Sequence, residues 1–382
     1  MPLSPPANKP LLLLFPVAQT LNYERCLVVA KHLRPLFEIR FLHTDGQASL
    51  VYQHGFETFS NGSFTLHLAR SGYNLIELDE KNLELHFLEQ VEILETLQPS
   101  LVIGDGSATL SMAAEFTGIP LISIINGHQS PYFTNKQPSS MQFKSHQPFQ
   151  FIREKYGLRQ KLKLSEEYEG DLNWICDLPE LFPQKELPFH YDLIGPLFEI
   201  QKLPTAPSFN TLNPLKKTIL IDFQHHKQQE ELNLFNETYY KHYNLIAEAT
   251  KGNLILAKHF RSLQLVNIAQ VFDKTDLLLC DTERLMYKAL HYGVPVVFTN
   301  PCTPPTNLIE ALEDWQIGSR GNLKNAIIDN KILEYWTNHK NSDTHRTIQY
   351  KIKSAAAIIE HKLLRSLSLH FPLVEKKRIT YM

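Results

Sequence analysis

Asp105 follows a short apolar run at 101–103, and a second run at 121–125 leads into Asn126, His128, Ser130 and Tyr132. An Asp and a His are groups that move protons, and amides and hydroxyls hold polar ligands. Between the two runs, residues 108–116 carry a helical pattern that Gly118 and Pro120 close, so the segment predicts one βαβ unit. In open parallel sheets ligands bind beyond the carboxyl ends of the strands, which places all five polar residues on one rim. Two of them have plainer readings as well. Asp105 suits a cap for the helix starting near Ala108, and His128 suits a structural or exposed loop histidine.

The elements that position this rim are strand-first throughout. Residues 11–17 and 38–43 read as strands around a helix at 23–33, with further helices at 63–71 and 83–97. Residues 133–150, rich in Ser, Gln, Phe and Pro, predict a long irregular loop over the rim. A linker at 201–214 separates residues 1–200 from a second series: strand 218–223, helix 230–249, strands 253–257 and 276–280, helix 283–290, strand 294–299 and helix 307–315. Residues 347–369 read as one amphipathic helix with Ile352, Ala355, Ile358, Ile359, Leu363 and Leu367 on its packing face. The fold class expected is α/β with two Rossmann-like domains.

Length and charge narrow the function. The chain has 382 residues, with 38 Lys and Arg against 40 Asp and Glu, a balance that offers no field for nucleic acid or an anionic membrane. Residues 11–15 are too short an apolar run for a membrane span. Any membrane contact is therefore expected to be peripheral. The 4 cysteines are scattered without a paired motif, which points away from a disulfide framework or zinc and towards the reducing cytoplasm. His225 and His226 are adjacent, so their side chains diverge, and no metal is expected there.

The segments 101–132, 170–188 (GDLNWICDLPELFPQKELP) and 191–197 (YDLIGPL) resemble bacterial glycosyltransferases related to the UDP-glucuronosyltransferases. Supporting pieces are 20–33 (TLNYERCLVVAKHL), 64–72 (FTLHLARSG) and 275–301 (TDLLLCDTERLMYKALHYGVPVVFTNP), in the family's order. The resemblance implies the GT-B fold: an acceptor-side domain at 1–200, a nucleotide-sugar-side domain at 215–345, the two facing across a cleft, and a helix at 346–382 crossing back. It implies transfer of a hexose from a UDP- or dTDP-sugar, as co-substrate, to a small-molecule or lipid-like acceptor hydroxyl. No cofactor or catalytic metal is implied.

The chain also departs from that family. Where members carry a His base in a Leu-Ala-His context, it has Leu21-Asn22-Tyr23, and neither an amide nor a phenol is a ready base at neutral pH. Asp105 matches the family's Asp position, and His128 is the nearest replacement base. Asn22, Tyr23, Asn126, Ser130 and Tyr132 are expected to line the acceptor side. On the donor side the glycine pair that bares backbone amides to the diphosphate is absent, and Asp281, Thr282, Glu283 and Arg284 stand there. Arg284 and Lys288, four apart on one expected helix face, would offset the acids, with Thr282 as helix cap. Gln224, Arg261 and Asn307 complete the expected donor set, although Arg261 has a second reading in a solvated basic turn and Asn307 as a cap. These departures support an alternative, a catalytically silent GT-B protein that binds a sugar, nucleotide or protein partner. A second alternative keeps the enzyme and changes the donor, for example to a polyprenyl-phosphate sugar.

Overall fold

The computed structural model describes residues 9–16, 20–42, 48–59, 80–134, 141–198, 212–223, 243–248, 261–263, 268–299, 306–321, 330–340 and 342–371. The expected helix at 63–71, strand at 253–257 and most of the linker at 201–214 lie outside these. The chain divides into two compact units. The first comprises Met1–Pro179, Pro183–Leu197 and Ile358–Met382, and the second Glu180–Phe182 and Phe198–Ala357.

In the first unit the elements run β1 (Leu11–Pro16), α1 (Thr20–Leu33), β2 (Glu38–Leu42), α2 (Ala48–Gln53), β3 (Glu57–Phe59), α3 (Glu80–Leu97), β4 (Leu101–Asp105), α4 (Ala108–Thr117), β5 (Leu121–Ile125), α5 (Met141–Lys155), β6 (Leu172–Ile175) and β7 (Tyr191–Leu193). The strands pair in parallel in the order β3-β2-β1-β4-β5-β6-β7. Both faces of this sheet are covered, so its central strands are buried throughout and nearly continuously apolar rather than alternating, with Asp105 and Ser123 the polar positions of β4 and β5. Leu12, Leu14, Ile103, Ile122 and Trp174 pack on one face with α1, while Leu13, Phe15, Val102 and Leu121 pack on the other with α3 and α4. Sheet order reverses between β1 and β4, where Pro16 and Asp105 are register partners. That is the switch point at which such sheets bind ligands.

Of the loop expected at 133–150, residues 141–150 are helical instead, and 135–140 lie outside the described residues. The helical residues belong to α5, which holds Pro148 within it. His146, Phe149, Ile152 and Arg153 recur at helical spacing and are buried. Fully buried Glu167 accepts from Arg153 Nε at 2.6 Å and meets His146 Nε2 at 2.9 Å, and Arg153 Nη1 donates to Glu115 at 2.7 Å. This network and the apolar contacts outweigh the helical bond that Pro148 removes.

The second unit repeats the plan with β8 (Lys217–Asp222), β9 (Tyr243–Glu248), β10 (Arg261–Leu263), α6 (Ile268–Lys274), β11 (Leu277–Cys280), α7 (Met286–His291), β12 (Val296–Phe298), α8 (Thr306–Asp314), β13 (Gly318–Arg320), α9 (Asn330–Thr337) and α10 (Asp343–Ala357). Its parallel order is β10-β9-β8-β11-β12-β13, again reversing between the first and fourth strands. Residues 243–248, expected inside a helix, form β9. The strand pairs with β8 from Lys217↔Tyr243 to Ile221↔Ala247, burying Leu245 and Ile246. Sheet pairing has overridden the local helical pattern here.

The tail is two helices, not one. α10 belongs to the second unit, with Ile348 and Ile352 buried, and α11 (Ile359–His370) belongs to the first. The break at 357–358 lets each helix serve a different core, and it leaves Ile358 exposed, off the expected packing face. In α11, Ile359, Leu363 and Leu367 join the β1 and β6 core, and Trp174 Nε1 donates to Ser366 Oγ at 2.9 Å. Leu363→Ala is expected to destabilise the first unit by about 2–5 kcal/mol, the range for truncating a buried leucine. Urea denaturation measures it, and an unchanged midpoint would refute this role for α11.

Candidate functional site

Gly106, with φ of 74°, turns the chain out of β4, and Ser107, not Asp105, caps α4 by accepting from Leu110 N at 3.4 Å. Asp105 is thereby free of the capping role, and it is fully buried at the switch point. Its carboxylate is filled by α1. Arg25 donates from Nε to Oδ2 at 2.8 Å and from Nη2 to Oδ1 at 2.5 Å, while Asn22 Nδ2 donates to Oδ1 at 2.8 Å. Burial raises the Asp105 carboxyl above its ordinary value, opposed by Arg25 and Asn22. Burial alone would lower Arg25, but Asp105 beside it drives the guanidinium further up. The two side chains form a buried two-pronged ion pair, and both carboxylate oxygens are occupied.

Arg25 was not among the residues read from sequence. Its signal was present, since Asn22 and Arg25 are three apart and therefore share a helix face. The same guanidinium donates from Nη1 to Asn126 Oδ1 at 2.5 Å. Asn126 opens a 3₁₀ turn, Gly127–Gln129, which is fixed on several sides. Asn126 N donates to Gln129 Oε1 at 2.9 Å, Gly127 N to Asp177 Oδ2 at 2.5 Å, and Gln184 Nε2 to Gly127 O at 2.9 Å.

His128 sits on this turn, partly exposed. Burial, and secondarily the Arg25 charge, lower its imidazole to about 4. It is neutral at physiological pH. Ser130 is buried and its Oγ accepts from Tyr132 N at 3.1 Å, while the Tyr132 ring meets Tyr191 edge-on at 5.1 Å. Tyr23 does not share the rim with Asn22. It is buried in the sheet core and its hydroxyl donates to Leu42 O at 3.1 Å.

The second unit carries a matching fork at its own switch point. Arg284 donates from Nη2 to Asp222 Oδ1 at 2.6 Å and from Nε to Oδ2 at 3.2 Å, with Asp222 at the end of β8 and Arg284 beyond β11. α7 begins only at Met286, after Leu285. Arg284 therefore precedes the helix instead of sharing a face with Lys288, and Thr282 is not its cap. Asp281 is fully buried, Lys288 is buried in α7, and Thr282 is partly buried. Burial and the acids Asp222, Asp281 and Glu283 raise the Cys280 thiol far above its ordinary value. This is a crowded acidic rim rather than an open cradle of amides. Gln224 lies outside the described residues, as do the side chains of Arg261, at the start of β10, and Asn307, in α8.

Among the described residues no cluster of three or more His, Cys, Asp or Glu is placed to hold a metal, and no helix is long and apolar enough to cross a membrane.

No protein-family profile matches the chain. Among curated proteins it is similar to a PGL/p-HBAD biosynthesis rhamnosyltransferase of Mycobacterium bovis, 27% identical over 132 residues, which is 28% of this chain and 29% of that protein. It is also similar to an inactive PGL/p-HBAD biosynthesis glycosyltransferase of the same species, 29% identical over 131 residues, 28% of this chain and 36% of that one. The matches thus span about a third of those relatives' lengths. Solved structures align over nearly the whole chain. The calicheamicin glycosyltransferase CalG4 gives a TM-score of 0.63 at 17% identity, covering 96% of this chain and 100% of that one. The glycosyltransferase VinC in complex with dTDP gives 0.61 at 12%, covering 96% and 99%. The chain has the GT-B fold, with two Rossmann-like domains, and is a relative of bacterial glycosyltransferases.

Proposed function

We propose that this protein is a glycosyltransferase that moves a hexose from a nucleotide sugar, a UDP- or dTDP-sugar, to a hydroxyl of a small-molecule or lipid-like acceptor. The observation that carries this reading is the sequence match to proteins named as glycosyltransferases, on a chain whose fold aligns end to end with structures titled as glycosyltransferases. Neighbours titled with dTDP and thymidine diphosphate, one of them a rhamnosyltransferase, favour a dTDP-sugar as donor.

In the reaction, the acceptor oxygen bonds to the anomeric carbon as the bond from that carbon to the diphosphate breaks. The acceptor proton goes to the His128 imidazole, which is neutral and partly exposed. Asp105 is not the base, because both its oxygens are taken by Arg25 and Asn22. Asn126, Ser130 and Tyr132 lie on the acceptor side, and Gln224, Arg261, Asp281, Thr282, Arg284, Lys288 and Asn307 on the donor side. Three free, buried thiols, Cys26, Cys176 and Cys280, support a cytoplasmic setting.

A second reading has its own observation. The Asn22 amide occupies Asp105 where the family's base stands, which favours a silent protein that binds a sugar, nucleotide or partner. Thermal shift with UDP, dTDP and GDP separates the two, since a ligand at one hundred times its dissociation constant stabilises by about 2.7 kcal/mol. A shift with UDP or dTDP, and loss of product in His128→Gln, is expected. No shift with any nucleotide would overturn the transferase reading.

A further inference from the structure

We propose that Arg25 is the positioning residue of the acceptor side, holding through Asn126 the turn that carries His128 and setting the charge around its imidazole. The inference rests on His128 being the proton acceptor.

Three observations converge on Arg25. It is buried where α1 meets the sheet, 5% exposed, with Tyr23, Cys26, Leu27, Val28, Val29 and Ala30 around it all core residues. Its three donating nitrogens reach two different strand ends, Asp105 on β4 and Asn126 beyond β5, which no neutral side chain of similar length does. The turn it reaches is also held by Asp177 and Gln184, from beyond β6. His128 is thus the mobile-proton group on an otherwise fixed turn.

The electrostatics agree with the geometry. The charged and titratable groups around this turn are Arg25 on α1, Asp105 on β4, and Cys176 and Asp177 beyond β6. Burial raises the Cys176 thiol, so it stays neutral. Asp105 is held in its fork with Arg25, whose third nitrogen is the one turned to Asn126. After burial, Arg25 is the charge that lowers His128. A base in this setting is unprotonated whenever an acceptor arrives, which a histidine of ordinary basicity is only in part near pH 6.5.

The test needs no substrate. Protein labelled with ¹³C in its histidine rings is titrated from pH 8 to pH 4, with the His128 signal assigned by its loss in His128→Gln. In the unmodified protein His128 is expected to stay unprotonated until near pH 4. Arg25→Gln combined with Asp105→Asn removes both charges at once, so no buried carboxylate is stranded, and is expected to raise the His128 midpoint by at least half a pH unit. Arg25→Lys, which keeps the charge, is expected to hold it low. An unchanged midpoint in the folded double variant would overturn the proposal, as would a Lys variant that rises equally. A silent protein would still show the shift, whereas a normal shift without sugar transfer counts against the transferase reading alone.

Discussion

Asp105→Asn should lower the unfolding free energy of the first unit by about 3–5 kcal/mol, the cost of stranding one member of a buried ion pair. Asp105 is fully buried and Arg25 is 5% exposed, so little solvent is present to screen the loss. The asparagine keeps the shape but removes the charge that Arg25 requires at that depth. Since whole domains are stable by only about 5–15 kcal/mol, the variant is expected to be marginal at 37 °C. Urea unfolding followed by Trp174, which lies in the first unit, measures the change. Replacing both partners, Arg25→Met with Asp105→Leu, should recover most of the loss, because neither charge then has to be desolvated. A single variant as stable as the parent would contradict the ionic fork. The consequence reaches catalysis too. A dead Asp105→Asn enzyme would not identify Asp105 as a base unless folding were measured beside it.

The βαβ unit around Asp105 was legible because each boundary has a local cause: apolar runs for β4 and β5, Ser107 as cap, and Gly118 with Pro120 as stop. Two misread segments owe their structure to distant partners. α5 exists because Glu167 and Glu115 satisfy His146 and Arg153, and nothing within 133–150 announces those acids. β9 exists because β8 offers an open edge to 243–248, overriding a helical pattern. The site was half legible. Asp105 and His128 stood out as polar residues at strand ends, but their relation did not, because it passes through Arg25, eighty positions from Asp105 along the chain. In the second unit the absence of glycine at 280–284 was plain in the sequence. That Arg284 answers Asp222 instead of standing open was not, since the pairing spans two strands.

Both units place an Arg–Asp fork where their sheet order reverses, with the partners exchanged: the carboxylate ends the fourth strand in the first unit and the first strand in the second. A switch point gathers strand ends that each leave backbone groups and side chains unpaired by the sheet. Burying a fork there closes the rim with directional bonds rather than apolar contacts, beside the turns at 126–130 and 281–285.

Acid should destabilise this protein well above the pH at which carboxylates titrate. Burial lowers three histidines to about 4: His128 with help from Arg25, His291 with help from Lys353, and His345 with help from His339 against a backbone bond at Ile317. In the unfolded chain each titrates near 6.5. The sign follows from proton counting. Between pH 6.5 and 4 the unfolded state binds a proton at each site and the folded state does not, so stability is complete above 6.5 and falls as pH drops through this window. At pH 5 each site costs about 2 kcal/mol relative to pH 7. His291 and His345 both lie in the second unit, which should therefore melt first as pH falls. Melting curves from pH 7 to pH 4.5 read the loss, and His345→Gln should flatten that of the second unit by about half. A midpoint constant across that range would mean that these imidazoles are protonated in the folded protein and that their burial is not enforced.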